Sequence, residues 1–141
     1  MAKTARNMGL ALAAGAMVLA GGVSAEAKPR LTGEQQLAKL LEGRVAGEPV
    51  DCIYNPAVSS ARVINKTAIV YDTGSTLYVQ RPKTGAETLD DDDILVTRLT
   101  GSQLCSVDTV QLRDRVGGFW RGFVGLDKFV PYKKVKVAAA Q

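Results

Sequence analysis

The chain has 141 residues and a net charge of +4, from 18 basic and 14 acidic side chains, and it contains no histidine. The lack of histidine excludes Ser-His-Asp and Cys-His nucleophilic sites and histidine-ligated metal centres. Neither a P-loop nor a G-x-G-x-x-G sequence occurs, which excludes the common phosphate-binding loops.

The first 25 residues have the organisation of a secretory signal peptide. A short basic segment is followed by an apolar stretch from residue 8 to residue 20, and Val23 and Ala25 are small residues at the −3 and −1 positions of a cleavage site. Cleavage after Ala27 is a near alternative. We therefore expect export, in a bacterium to the periplasm.

A membrane span and a lipoprotein signal are two other interpretations of this segment. Residues 8–25 are uncharged and approach the shortest length of a membrane span, but alanine and glycine dominate them. Leu19-Ala20-Gly21 matches the start of a lipobox, yet Gly22 occupies the position of the lipidated cysteine, which excludes a lipid anchor. We expect no membrane span after signal cleavage.

Signal cleavage changes the charge argument. The mature chain would lose Lys3 and Arg6, so that 116 residues with a net charge of +2 remain. This charge is too small to indicate nucleic acid or anionic lipid as a partner. The length suffices for one domain with one core.

Residues 26–48 are predicted to form a polar leader and an amphipathic helix. Thr32 and Gln35 have the spacing of a capping box, in which each side chain binds the other residue's backbone N–H. Apolar residues then recur at helical spacing. We place the helix at residues 33–42, packed on a sheet.

Residues 49–132 are predicted to form a β-rich domain, which is followed by a basic tail at residues 133–141. The apolar runs and turn signals predict a short strand at 50–54, a hairpin of 63–71 and 76–80, strands at 94–97 and 104–112, and an aromatic segment at 119–132. The expected fold is mainly β (α+β): a small antiparallel sheet or partly closed barrel with one N-terminal helix.

Cys52 and Cys105 are the only cysteines, and they lie 53 positions apart. In an oxidising compartment we expect them to form one intramolecular disulfide. There is no C-x-x-C redox motif, and a metal site would need more ligands than two cysteines.

The acidic run Asp90, Asp91, Asp92 and Asp93 is a candidate calcium site, because hard cations bind clustered carboxylate oxygens. It lacks the EF-hand pattern, and consecutive side chains of a strand point to opposite faces. The alternatives are a solvated turn, in which one carboxylate caps backbone N–H groups, and a run that docks on the basic C-terminal segment, residues 113–136, which contains seven basic side chains.

Trp120, Arg121 and Phe123 are candidate binding residues, because tryptophan and arginine are enriched at interface hot spots. The alternative is structural. In that interpretation Phe119, Phe123 and Phe129 fill the core, while Trp120 and Arg121 flank a turn.

Several short blocks occur in order along the β-rich segment. They are Cys-Ile at 52–53, Thr-Ala-Ile-Val-Tyr at 67–71, Gly-Ser-Gln-Leu-Cys at 101–105 and Phe-Val-Pro-Tyr at 129–132. In these blocks the chain resembles a family of small secreted bacterial proteins known as a domain of unknown function. The resemblance spans roughly residues 49–132 and implies a secreted domain whose paired cysteines belong to its framework. It implies no activity and no site residue.

These patterns predict a secreted, non-enzymatic binding or envelope-interaction module. The expected partner is an envelope protein or polymer, with no nucleic acid and no cofactor. The alternative functions are a small carboxylate-dependent enzyme and a weak calcium-binding module.

Overall fold

The computed structural model describes residues 28–136. The predicted signal peptide, both cleavage positions and residues 137–141 lie outside this range. Its helix and strands are α1 (Gly33–Leu40), β1 (Arg44–Ala46), β2 (Cys52–Tyr54), β3 (Ser60–Ile64), β4 (Ala68–Asp72), β5 (Thr76–Gln80), β6 (Ile94–Thr97), β7 (Gln103–Cys105), β8 (Thr109–Arg113), β9 (Trp120–Gly125) and β10 (Phe129–Lys134).

Helix α1 begins with the predicted capping box. The Thr32 hydroxyl accepts from the backbone N–H of Gln35 at 3.3 Å, and the Gln35 Oε1 accepts from the backbone N–H of Thr32 at 2.9 Å. The helix ends at Leu40, two residues before the predicted end. Gly43 then adopts φ +71°, which reverses the chain into β1, a strand that the sequence did not predict.

The ten strands form three antiparallel sheets. The largest has the order β1-β10-β5-β4-β3, and the others are the pair β2-β7 and the triplet β6-β8-β9. The predicted mainly β, α+β fold is confirmed. The strands are divided among three sheets, however, and they do not close into a barrel.

The predicted hairpin is present as β4 and β5, which join through the turn between Asp72 and Thr76. Two predicted strands, the first arm of this hairpin and the strand at residues 104–112, are each divided in the structure. Residues 63–71 contain the end of β3, a turn with Lys66 at φ +53° and then β4. Residues 104–112 contain the end of β7 and most of β8, and between them the Asp108 carboxylate accepts from the backbone N–H of Cys105 at 2.7 Å.

The five-stranded sheet is covered on both faces, which explains the nearly continuous burial of β4 and β5. On one face α1 packs through Leu37. Its cluster on the sheet is Leu37, Ile64, Ala68, Val70, Leu77 and Val79. On the other face the two smaller sheets complete the main core. Its members are Ile53, Val63, Ile69, Tyr71, Leu89, Leu104, Val110, Leu112, Val124, Leu126 and Phe129.

The predicted disulfide is present. Cys52 and Cys105 are directly opposite each other in the β2–β7 ladder and are bonded. Such a bond is typical of extracytoplasmic proteins. Among residues 28–136, no helix has the length and apolar character that crossing a membrane would need.

Strand β10 extends beyond the predicted boundary between domain and tail. It passes through Pro131, and Lys133 and Lys134 are still paired with β1. The first two residues of the predicted basic tail are therefore part of the largest sheet.

Candidate binding surface

The three-stranded sheet packs one face on the core and exposes the other. Alternation along β8 directs Val110 and Leu112 inward, where both are fully buried, and directs Gln111 outward. The same alternation in β9 buries Val124 and exposes Phe123.

Cross-strand register arranges the outward side chains in two rows. In one row Phe123 lies opposite Gln111, which lies opposite Val96. In the other, Trp120 lies opposite Arg113, which lies opposite Ile94. We call Ile94, Val96, Trp120 and Phe123 the aromatic face.

The structure corrects the prediction that Phe119 and Phe123 fill the core. Their exposed fractions are 73% and 56%, whereas Phe129 is fully buried as predicted and packs edge-to-face on Tyr71. Phe123 is exposed because its strand alternates, and Phe119 because it lies in the turn before β9. Trp120 is the first residue of β9 after that turn, and its exposed fraction is 61%.

The turn between β8 and β9 is organised by one carboxylate. The Asp114 side chain accepts from the backbone N–H groups of Gly117 and Phe119, and these hydrogen bonds, the one from Gly117 foremost, lower the pKa of the Asp114 carboxyl. A Cβ atom at Gly117 would overlap the Phe119 ring, so the ring lies directly against the glycine. The hydrogen bonds of Asp114 and the contact of Gly117 with Phe119 thus define the turn that precedes the aromatic face.

Arg121 lies within an irregularity of the β8–β9 ladder. Arg113 pairs with Trp120, but the preceding Leu112 pairs with Gly122, so Arg121 is an extra residue in β9. Its guanidinium donates to Asp93 Oδ1 at 2.8 Å. Arg121 therefore links β9 to the acidic run.

The acidic run is a turn that a buried carboxylate holds together. The Asp93 side chain is fully buried, and its Oδ2 accepts from the backbone N–H of Asp90 at 2.9 Å. The Asp90 carboxylate in turn accepts from the backbone N–H of Asp92 at 3.1 Å. The run thus caps backbone groups and also docks on the basic segment through Arg121, as both structural alternatives predict.

The remaining carboxylates of the run lie together on the surface. Asp90, Asp91 and Asp92 each have an oxygen within 4.8 Å of the others, close enough for three of them to contact one cation. Arg121 Nη1 lies 3.9 Å from Asp90 Oδ2, and this positive charge disfavours a second cation there. Asp93 is not available as a ligand, because both of its oxygens have partners.

Sequence reasoning missed Ile94 and Val96 as surface residues. Residues 94–96 form an uninterrupted apolar run, and such a run places apolar side chains on both faces of a strand. This apolar run on both faces of β6 is the sequence signal that could have identified Ile94 and Val96 as surface residues.

Comparison of the chain with protein-family models, curated proteins and solved structures yields no match. The class of protein is therefore assigned from the structure of residues 28–136 alone. It is a disulfide-bonded, mainly β domain with an exposed aromatic sheet face.

Proposed function

We propose that this protein is a non-enzymatic binding module of the bacterial envelope, exported to the periplasm, whose aromatic face contacts an envelope protein or polymer. The observation that supports this function is the exposure of Trp120 and Phe123 on one face of the three-stranded sheet. Leaving large apolar surface in water costs about 25 cal/mol per Å². A group of exposed apolar side chains on one sheet face is therefore evidence for an interaction site.

The neighbouring polar groups suit such a contact. Gln111 and Arg113 lie between the apolar residues of the two rows and offer hydrogen-bond donors to a partner. Tryptophan and arginine are the residues that most often dominate interface energies.

Three observations support this location. They are the signal-peptide pattern, the bond between Cys52 and Cys105, and the resemblance to a family of small secreted proteins. A disulfide would be reduced in most cytosolic environments.

The acidic run gives little support to the alternative of a carboxylate-dependent enzyme. Glycoside hydrolysis needs two carboxylates across a substrate cleft, one of them able to donate a proton. Asp93 is paired with Arg121, and Asp91 and Asp92 are on the same exposed turn.

The test uses Trp120→Ala with Tyr54→Ala as the matched control. Tyr54 is an aromatic residue of similar exposure, 58%, but it lies in the β2–β7 sheet. Each purified protein would be incubated with solubilised envelope proteins and, separately, with the insoluble cell-wall polymer. We expect a saturable partner whose affinity falls at least tenfold with Trp120→Ala and stays unchanged with Tyr54→Ala.

Thermal melts would show that both variants remain folded. Failure to recover any partner from either fraction, or equal loss of binding in both variants, would contradict the proposed function.

A weak calcium module is the second candidate, supported by the grouping of Asp90, Asp91 and Asp92. Asp91→Asn should then abolish a calcium-dependent rise in the melting temperature. No rise at millimolar calcium in the unaltered protein would dismiss this candidate.

A further inference from the structure

A second surface, which shares only Ile94 with the aromatic face, lies between the edges of two sheets. Strand β3 is the last strand of the five-stranded sheet, and β6 is the last strand of the three-stranded sheet. A groove of about 630 Å³ separates them, within the range of ~300–1,000 Å³ typical of ligand sites. We call it the edge groove. Its walls are β3, the start of β6 with Asp91 and Asp93, and Arg115.

The backbone of β3 is available for further pairing. Within the described range β3 pairs with β4 alone, and Ser60, Ala61 and Arg62 are exposed. An edge strand has a row of N–H and C=O groups without ladder partners on its outer side. An extended peptide can bind such an edge as an added strand.

The side chains of the edge groove favour an acidic peptide. Arg62 lies at the midpoint of β3, and Arg115 lies in the turn between β8 and β9. Among residues 28–136, neither guanidinium takes part in an ion pair. Of the groove's two carboxylates, Asp93 is buried and paired with Arg121, so that two unpaired positive charges stand against the one exposed negative charge of Asp91. Arginine binds carboxylates through charge-assisted, often bidentate hydrogen bonds.

The same residue argues against a second copy of this chain as the occupant. If two β3 strands paired antiparallel about their midpoints, Arg62 would face Arg62 of the other copy. Like charges directly opposite each other destabilise a strand pair.

We propose that the edge groove binds an extended segment of a partner protein, which adds to β3 as a sixth strand and places an acidic side chain between Arg62 and Arg115. The five residues of β3 span about 17 Å, so the segment would be about five residues long. Backbone pairing would supply the affinity, and the two guanidiniums would select the acidic side chain.

The experiment uses an array of synthetic heptapeptides with alternating valine and threonine, in which glutamate, glutamine or lysine occupies the central position. The best glutamate peptide is also made with N-methyl groups on alternate backbone nitrogens, which removes N–H donors and keeps the side chains. Arg62→Gln is the test variant. Arg98→Gln is its control, because Arg98 is an exposed arginine that does not line the edge groove.

We expect the glutamate peptide to bind at least fivefold more tightly than the lysine peptide, and N-methylation to reduce binding at least tenfold. The preference for glutamate should weaken with Arg62→Gln, which leaves only Arg115, and stay unchanged with Arg98→Gln. Hydrogen exchange should slow at the amides of β3 when the peptide is bound.

Several results would overturn the proposal: no peptide of the array binding above background, an unchanged affinity after N-methylation, or a glutamate preference that Arg62→Gln does not weaken. Concentration-dependent dimerisation that protects β3 would instead identify a second copy as the occupant. Trp120→Ala should leave peptide binding unchanged, so failure of the proposed aromatic-face function and failure of the edge groove are distinguishable.

Discussion

Replacement of Asp93 by alanine removes the buried carboxylate of the acidic run. Asp93 Oδ1 accepts from the Arg121 guanidinium and Oδ2 accepts from the Asp90 backbone N–H. The variant leaves both donors without their acceptor. We therefore expect Asp93→Ala to destabilise the fold and to loosen the contact between the run and β9.

The magnitude follows from the burial of the two partners. Removing one partner of a buried ion pair costs about 3–5 kcal/mol. The Arg121 side chain is 37% exposed, so water can replace part of the lost interaction. We therefore expect Asp93→Ala to lower the free energy of unfolding by about 2–3 kcal/mol. For a domain of this size that corresponds to a fall in Tm of roughly 10 °C.

The assay is chemical unfolding followed by circular dichroism, with Asp92→Ala as the matched control. Asp92 is an exposed aspartate of the same turn. Exposed substitutions without such contacts change the free energy of unfolding by about 0.5 kcal/mol or less. Arg121→Ala and the double variant complete a cycle that isolates the coupling between Asp93 and Arg121.

Equal destabilisation by Asp93→Ala and Asp92→Ala would refute this reasoning, since the effect would then reflect only the charge of the run. Additive single effects in the cycle would show that the ion pair contributes nothing to stability.

The remaining predictions concern the disulfide, the aromatic residues and the turn before β9. Cys52→Ser with Cys105→Ser should lower the free energy of unfolding by about 4 kcal/mol in the chain-entropy model, measured in urea; an unchanged midpoint would contradict it. Phe129→Ala should lower the free energy of unfolding by about 3–5 kcal/mol, because Phe129 is fully buried. The exposed Phe123→Ala should lower it by about 0.5 kcal/mol or less in the same assay. Equal losses in the two variants would contradict the buried position of Phe129 and the exposed position of Phe123. The lowered pKa of Asp114 means that its charged form stabilises the turn above the unfolded pKa, and that this contribution is lost as pH falls through the folded pKa. NMR titration of the carboxyl should show the lowered pKa, and an ordinary value would refute the turn geometry.

Local patterns predicted the elements whose signals lie within a few residues. The Thr32–Gln35 capping box and the β4–β5 hairpin are such elements, because their hydrogen bonds join residues close in the chain. The pairing of Cys52 with Cys105 was predictable because only two cysteines exist.

Long-range contacts could not be predicted in this way. The short β1 exists because residues 44–46 pair with β10, nearly ninety residues later. Arg121 and Asp93 form an ion pair at the irregularity of the β8–β9 ladder. No local sequence pattern predicts this irregularity.

The sequence by itself determined the class of this protein: a predicted export signal, one disulfide, a capped helix and short antiparallel strands. Only the tertiary structure decided which apolar residues are buried. Phe123 and Phe129 are identical in chemistry, yet one is exposed and the other is in the core. The physical reason is that burial depends on which face of a strand meets another layer, and the packing of the three sheets sets that.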